Sequence, residues 1–140
     1  MITNDIIHKD LIALIAAETT ITNKLASASE VREAFYQSKG FRYPNVRLAV
    51  LSNDPYWERE QCDHTRVNFA VRCYTEVESS GTCQELAAAV INFLHRKYIA
   101  GTGWNGIIRL VTATNPSIVR TSLWRIELLF AVNTYPTSAS

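Results

Sequence analysis

The chain has 140 residues, with 14 basic against 13 acidic side chains, three cysteines and 47% apolar content. A formal charge of +1 gives no bulk drive toward nucleic acid or anionic membrane. A chain of this size folds around a core without disulfide or metal staples, and no apolar run is long enough to cross a bilayer. The expectation is one soluble, unprocessed domain over 1–140, with a flexible tail over 135–140.

Asn4 followed by Asp5 resembles a helix start, and Ile7, Leu11, Leu14 and Ile15 repeat every three to four residues, so the chain opens on an amphipathic helix. The β-branched run Thr19, Thr20, Ile21 and Thr22 ends or loosens it. Ser27 with Glu30 could cap a short turn, or the same stretch could begin an extended segment; 27–39 stays open between helix, strand and loop. Gly40 and Pro44 frame a turn before a strand at 46–51, which Ser52-Asn53-Asp54-Pro55 closes.

The alternation over 65–77 is clean, with Val67, Phe69, Val71 and Cys73 on one face and Arg66, Asn68, Arg72 and Tyr74 on the other. After Ser79-Ser80-Gly81, Thr82 with Glu85 forms a capping-box pattern ahead of Leu86, Val90, Phe93, Leu94 and Tyr98. This predicts a helix over 82–98 that Gly101 and Gly103 stop, with Arg96 and Lys97 in its last turns. Strands at 107–113 and 123–133 follow, joined by a polar connection containing Asn115 and Pro116.

This order predicts an α+β fold: a mainly antiparallel four-stranded sheet with two principal helices packed on one face. The second face would carry Arg47, Arg66, Arg72, Arg109, Arg125 and Glu127 among Ala49, Ala70, Leu129 and Ala131. Such a mixture is either a wet surface or a face partly covered by another subunit. The loop Pro55-Tyr56-Trp57-Glu58-Arg59-Glu60 has the aromatic and arginine composition of a contact surface, unless Trp57 folds back as a lid over the sheet.

Catalytic signatures are missing: no G-x-S-x-G, no phosphate-cradling loop, no H-E-x-x-H and no dinucleotide fingerprint. Cys62, Cys73 and Cys83 read as free thiols, and Cys62-Asp63-His64 lacks two further ligands for zinc. His8, His64 and His95 fall on different elements and read as surface histidines. Glu58 and Glu60 have no apolar surround that would raise a carboxyl pKa. The expectation is a non-enzyme with no cofactor and no metal.

With Tyr43-Pro44 just before the strand 46–51, the long alternating strand 65–77, the Ala/Leu-rich helix and a closing pair of strands, the chain resembles the tail terminator (tail completion) proteins of tailed bacteriophages. The resemblance implies a structural virion protein, assembled in the host cytoplasm, that forms a ring, typically a hexamer, at the head-proximal end of the tail. The ring stops tube polymerisation and joins the tail to the head. Its implied partners are further copies of itself, the tail tube protein and a head completion or neck protein. DNA passes through without sequence-specific binding, and no membrane is involved. The interface candidates are then Tyr56, Trp57 and Arg59 of the loop, with Arg47, Arg66, Arg72, Arg109, Arg125 and Glu127 of the sheet. Other readings are a different head–tail joining protein, a small α+β interaction module, or a small enzyme with a site between subunits drawing on Cys62, His64, Glu58 and Glu60.

Overall fold

The computed structural model describes residues 3–34, 42–55, 65–77 and 79–137. Among the described residues, three helices, α1 (Asn4–Ala16), α2 (Thr19–Thr22) and α3 (Gly81–Leu94), accompany seven strands. The strands are β1 (Val31–Glu33), β2 (Asn45–Pro55), β3 (Thr65–Glu76), β4 (Tyr98–Ala100), β5 (Trp104–Ala113), β6 (Ser117–Arg120) and β7 (Leu123–Pro136). They form one curled sheet in the order β1-β2-β3-β7-β5-β4, with β6 also on β7. The β1–β2 pair is parallel and the others are antiparallel. This overturns the expected four-stranded, mainly antiparallel sheet with two principal helices: the sheet is seven-stranded and mixed, strands hold almost half of the described residues, and helices are minor.

The extra strands have a common physical origin. β1, β4 and β6 are three or four residues long, too short to show a two-residue period, and each exists because a neighbouring strand offers its edge. β1 occupies part of the stretch left open at 27–39, after a 3-10 turn at Ala28–Glu30. β6 lies in the expected polar connection, and β4 in the expected end of the second helix. That helix stops at Leu94 because His95 is extended and Arg96 takes a positive φ of 65°, turning the chain out of the helix. Its N-cap is Ser80, which makes no side-chain cap bond, in place of the predicted Thr82–Glu85 box. Gly101 and Gly103 belong to the β4–β5 turn. β7 runs to Pro136, and Thr137 N–H still donates to Gly103 O, so ordered backbone reaches into the tail expected at 135–140.

The core lies between the inner sheet face and the helices. Val67, Phe69, Val71 and Cys73 of β3 and Ile126, Leu128, Phe130 and Val132 of β7 face Ile7, Leu11 and Ile15 of α1 and Leu86, Val90 and Leu94 of α3. One cross-strand row runs Val50, Phe69, Phe130, Leu110, with the two phenyl rings stacked 5.5 Å apart at its centre. A bulge sits at each end of this row, between Val50 and Ser52 and between Leu110 and Thr112. Bulges bend strands and increase twist, consistent with a sheet that curls.

Two histidines read as surface residues serve these bulges. Val50 N–H donates to His8 Nε2 (3.2 Å), with His8 Nδ1 placed to donate to Asn4 O (3.1 Å), and Leu110 N–H donates to His95 Nδ1 (3.0 Å). Each imidazole satisfies an amide at an irregularity in strand pairing.

Cys73 and Cys83 are free and buried, and Cys83 Sγ donates to Cys73 O at 3.4 Å. Burial pushes both thiols above the ordinary range, with Cys83 adding to the effect on Cys73. Thiols that ionise more readily unfolded than folded contribute stability that is intact below the unfolded value near pH 9. It is then lost as pH rises, by at most about 1.4 kcal/mol per pH unit for a thiol that stays protonated in the fold. Urea unfolding should therefore show a steeper fall in stability from pH 8 to 10 for the wild-type chain than for a Cys73→Ala/Cys83→Ala variant.

Candidate assembly surface

The outer sheet face carries the predicted arginines, and cross-strand register decides their neighbours. Arg47, Arg72 and Glu127 share one row across β2, β3 and β7. Like charges directly opposite are destabilising, yet Arg47 and Arg72 are paired residues. They turn to different acids. Arg72 Nε donates to Glu127 Oε2 at 2.7 Å, in a pair about one quarter exposed, which is worth of order 1 kcal/mol.

Arg47 is only 7% exposed and belongs to a buried cluster instead. Its Nη1 donates to Glu30 O (3.2 Å) and Val46 O (3.4 Å), and its Nη2 lies 3.8 Å from Glu30 Oε2. Arg32 Nη2 approaches Glu30 Oε1 at 3.2 Å, and the Arg42 backbone N–H donates to Oε2 at 3.2 Å. Burial lowers the Arg47 pKa from its ordinary value while the Glu30 carboxylate raises it, and a guanidinium keeps its charge throughout. Arg47 was expected on the second face; the structure places it there but closes it off as part of the fold's own ionic cluster.

Arg66 and Arg109 are exposed on the strands flanking β7 and line one shallow depression over Ala131 and Asn133, with Ile107 and Val111 beside them. Arg125 is half-buried further along β7. Among the described residues, none of these three has an ion-pair partner. Among the described residues, the outer face therefore carries Arg66, Arg109 and Arg125 beyond its ion pairs, with Asp54 opposite Arg66 in the strand register. Exposed apolar residues accompany them: Leu51 (53%) and Val111 (56%) at the two bulges, and Ile118 (65%) and Val119 (50%) on β6. Arginine mixed with exposed apolar side chains is the composition of a protein contact surface.

Tyr56, Trp57 and Arg59 lie outside the described residues, as do Glu58, Glu60, Cys62 and His64. Among the described residues no three or more of His, Cys, Asp and Glu converge into a metal set, and no helix is long and apolar enough to span a membrane. The residues missed in sequence are Glu30, His8, His95 and Asp10. Asp10 Oδ2 accepts from Trp104 Nε1 (2.6 Å) and Thr102 N–H (2.7 Å), and Oδ1 from Thr102 Oγ1 (2.9 Å), tying α1 to the β4–β5 turn. Each meets a partner distant in the chain or within an element too short to predict, so no spacing announces it.

No protein-family model matches the chain, and no curated protein matches its sequence. A solved structure does match in shape. A chain from "Virion of native gene transfer agent (GTA) particle" superposes with a TM-score of 0.73 at 15% identity, covering 94% of this chain and 98% of that one. The two chains share a fold. Because both chains are covered almost completely, the likeness extends to the curled sheet with its helices as a whole.

Proposed function

We propose that this protein is a structural virion protein and not an enzyme: a ring-forming tail terminator that caps the head-proximal end of a tail tube and joins it to the head, leaving a channel for DNA. The observation that carries this reading is the near full-length fold match to a chain of a virion particle. The outer face supports it. A ring needs two different patches on each subunit, and a face with Arg66, Arg109, exposed Ile107 and exposed Val111 supplies one of them.

Electron micrographs and native mass spectra of the purified protein test the reading. Rings with an axial hole, of hexameric mass, are expected. Introducing Arg66→Glu and Arg109→Glu together should weaken assembly by about tenfold or more, since like-charge contacts at an interface cost several kcal/mol. Protein that stays monomeric with or without tail tube protein would overturn the ring. Binding to the head connector but not to tube ends would move it to another position in the neck.

A further inference from the structure

β4 ends the path of the sheet and, among the described residues, pairs with β5 alone. Along an antiparallel pair, backbone groups point alternately toward and away from the partner strand. Ile108 N–H donates to Lys97 O and Gly101 N–H to Trp104 O, and Ile99 lies midway, opposite Gly106. The bonds to β5 therefore fall at 97, 99 and 101, and the backbone N–H and C=O groups of Tyr98 and Ala100 point away from β5. Among the described residues these outward groups have no hydrogen-bond partner. Beside this open edge runs a groove of about 310 Å³, lined by Tyr98, Ile99 and Ala100 on one side and by Asp10, Ala13 and Leu14 of α1 on the other. Spaced three and four apart, the α1 residues share one helix face, and that face is partly uncovered: Ala13 is exposed and Leu14 half-buried. Asp10 already accepts from Thr102 and Trp104 with both carboxylate oxygens, so the wall that remains for a ligand is aliphatic.

We propose that this groove binds an extended segment of a partner polypeptide, which adds to β4 as an antiparallel strand. Its backbone N–H and C=O groups bond to those of Tyr98 and Ala100, and the residue opposite Ile99 turns an aliphatic side chain into the groove against Ala13 and Leu14. That residue occupies a non-hydrogen-bonded site, where side chains of paired strands approach most closely. Outward N–H and C=O groups in alternation select a peptide backbone over a lipid or a nucleic acid, which is how strand-addition sites gain affinity. The aliphatic wall selects against a charged central residue, because burying an unpaired charge is costly. Other open-edge strands of a second copy fit poorly: β1 is centred on Arg32, and β6 has a bulge between Ile118 and Arg120. The site does not depend on ring formation.

The test is an amide NMR titration of the folded full-length chain with the peptide acetyl-Lys-Thr-Leu-Thr-Lys-amide. The same peptide N-methylated at both threonines, and one with aspartate in place of the leucine, serve as comparators. Saturable shifts at Tyr98, Ala100 and Leu14 are expected, and at saturation hydrogen exchange of the Tyr98 and Ala100 amides should slow by about tenfold or more. Both comparators should bind about tenfold more weakly. Ala100→Pro removes one outward donor and leaves the bonds to β5 in place, and Ala13→Glu puts a charge in the groove. Each variant should weaken binding by about tenfold. Absence of saturable shifts, equal affinity for the N-methylated peptide, or undiminished affinity in both variants would each overturn the proposal. So would protection of the Tyr98 and Ala100 amides that rises with protein concentration in the absence of peptide, which would assign the edge to a second copy.

Discussion

Replacing Glu30 by alanine is expected to destabilise the fold by about 3–5 kcal/mol, the range found when one partner of a buried ion pair is removed. The carboxylate is 1% exposed and meets the Arg32 side chain, the Arg42 backbone N–H and the Arg47 guanidinium. Without it, Arg47 remains charged and buried, and the amide of Arg42 loses its acceptor. Urea midpoints provide the measurement. With a slope of about 1–3 kcal/mol per molar for a small domain, the midpoint should fall by more than about 1 M. Arg32→Ala, which removes the more exposed partner, should cost much less. Glu30→Ala combined with Arg47→Met should recover most of the loss, since replacing a buried pair by apolar groups of similar volume is often near neutral. A Glu30→Ala loss below about 1 kcal/mol would mean that the cluster is solvated and not the buried ion pair described.

The second large effect is expected at Asp10. Its two oxygens accept three hydrogen bonds from Thr102 and Trp104, and Trp104 is fully buried. Asp10→Ala leaves the indole N–H without an acceptor inside the protein, so a loss of about 2–4 kcal/mol is expected, following the cost of an unmatched buried donor plus charge-assisted bonds. Asp10→Asn should fall between the two, because one amide oxygen replaces two carboxylate oxygens. Gly101 belongs to the same clamp: a Cβ there would collide with the Trp104 indole and lie 2.7 Å from Asp10 Oδ2. Gly101→Ala should therefore shift the Trp104 environment as well as lower stability, and thermal melts with tryptophan emission report both. Unchanged melts in both Asp10→Ala and Gly101→Ala would contradict the clamp.

These residues also mark where sequence reading stops. The period-two pattern of Val67, Phe69, Val71 and Cys73 and the helical spacing of Ile7, Leu11 and Ile15 identify core positions, because alternation along a strand and rotation around a helix are local properties of the backbone. The arginines assigned to the second face do lie there for the same reason. Which acid each meets was not legible: Arg47 finds Glu30, 17 positions earlier, and Arg72 finds Glu127, 55 positions later. The histidine acceptors at the bulges were equally hidden, since a bulge is a mismatch between two strands and neither strand shows it alone.

Composition and local period thus decided that this chain has a core, which face of each long strand and helix enters it, and that its charges nearly cancel. Tertiary structure decided the number of strands, the mixed pairing and the curl, because short edge strands and bulges form only against a neighbour already in place. It also resolved the near-neutral charge into a buried cluster around Glu30 and exposed guanidiniums at Arg66 and Arg109. Net charge is a sum over the chain, whereas the work of a charge depends on how deeply it is buried and what lies within a few ångströms of it.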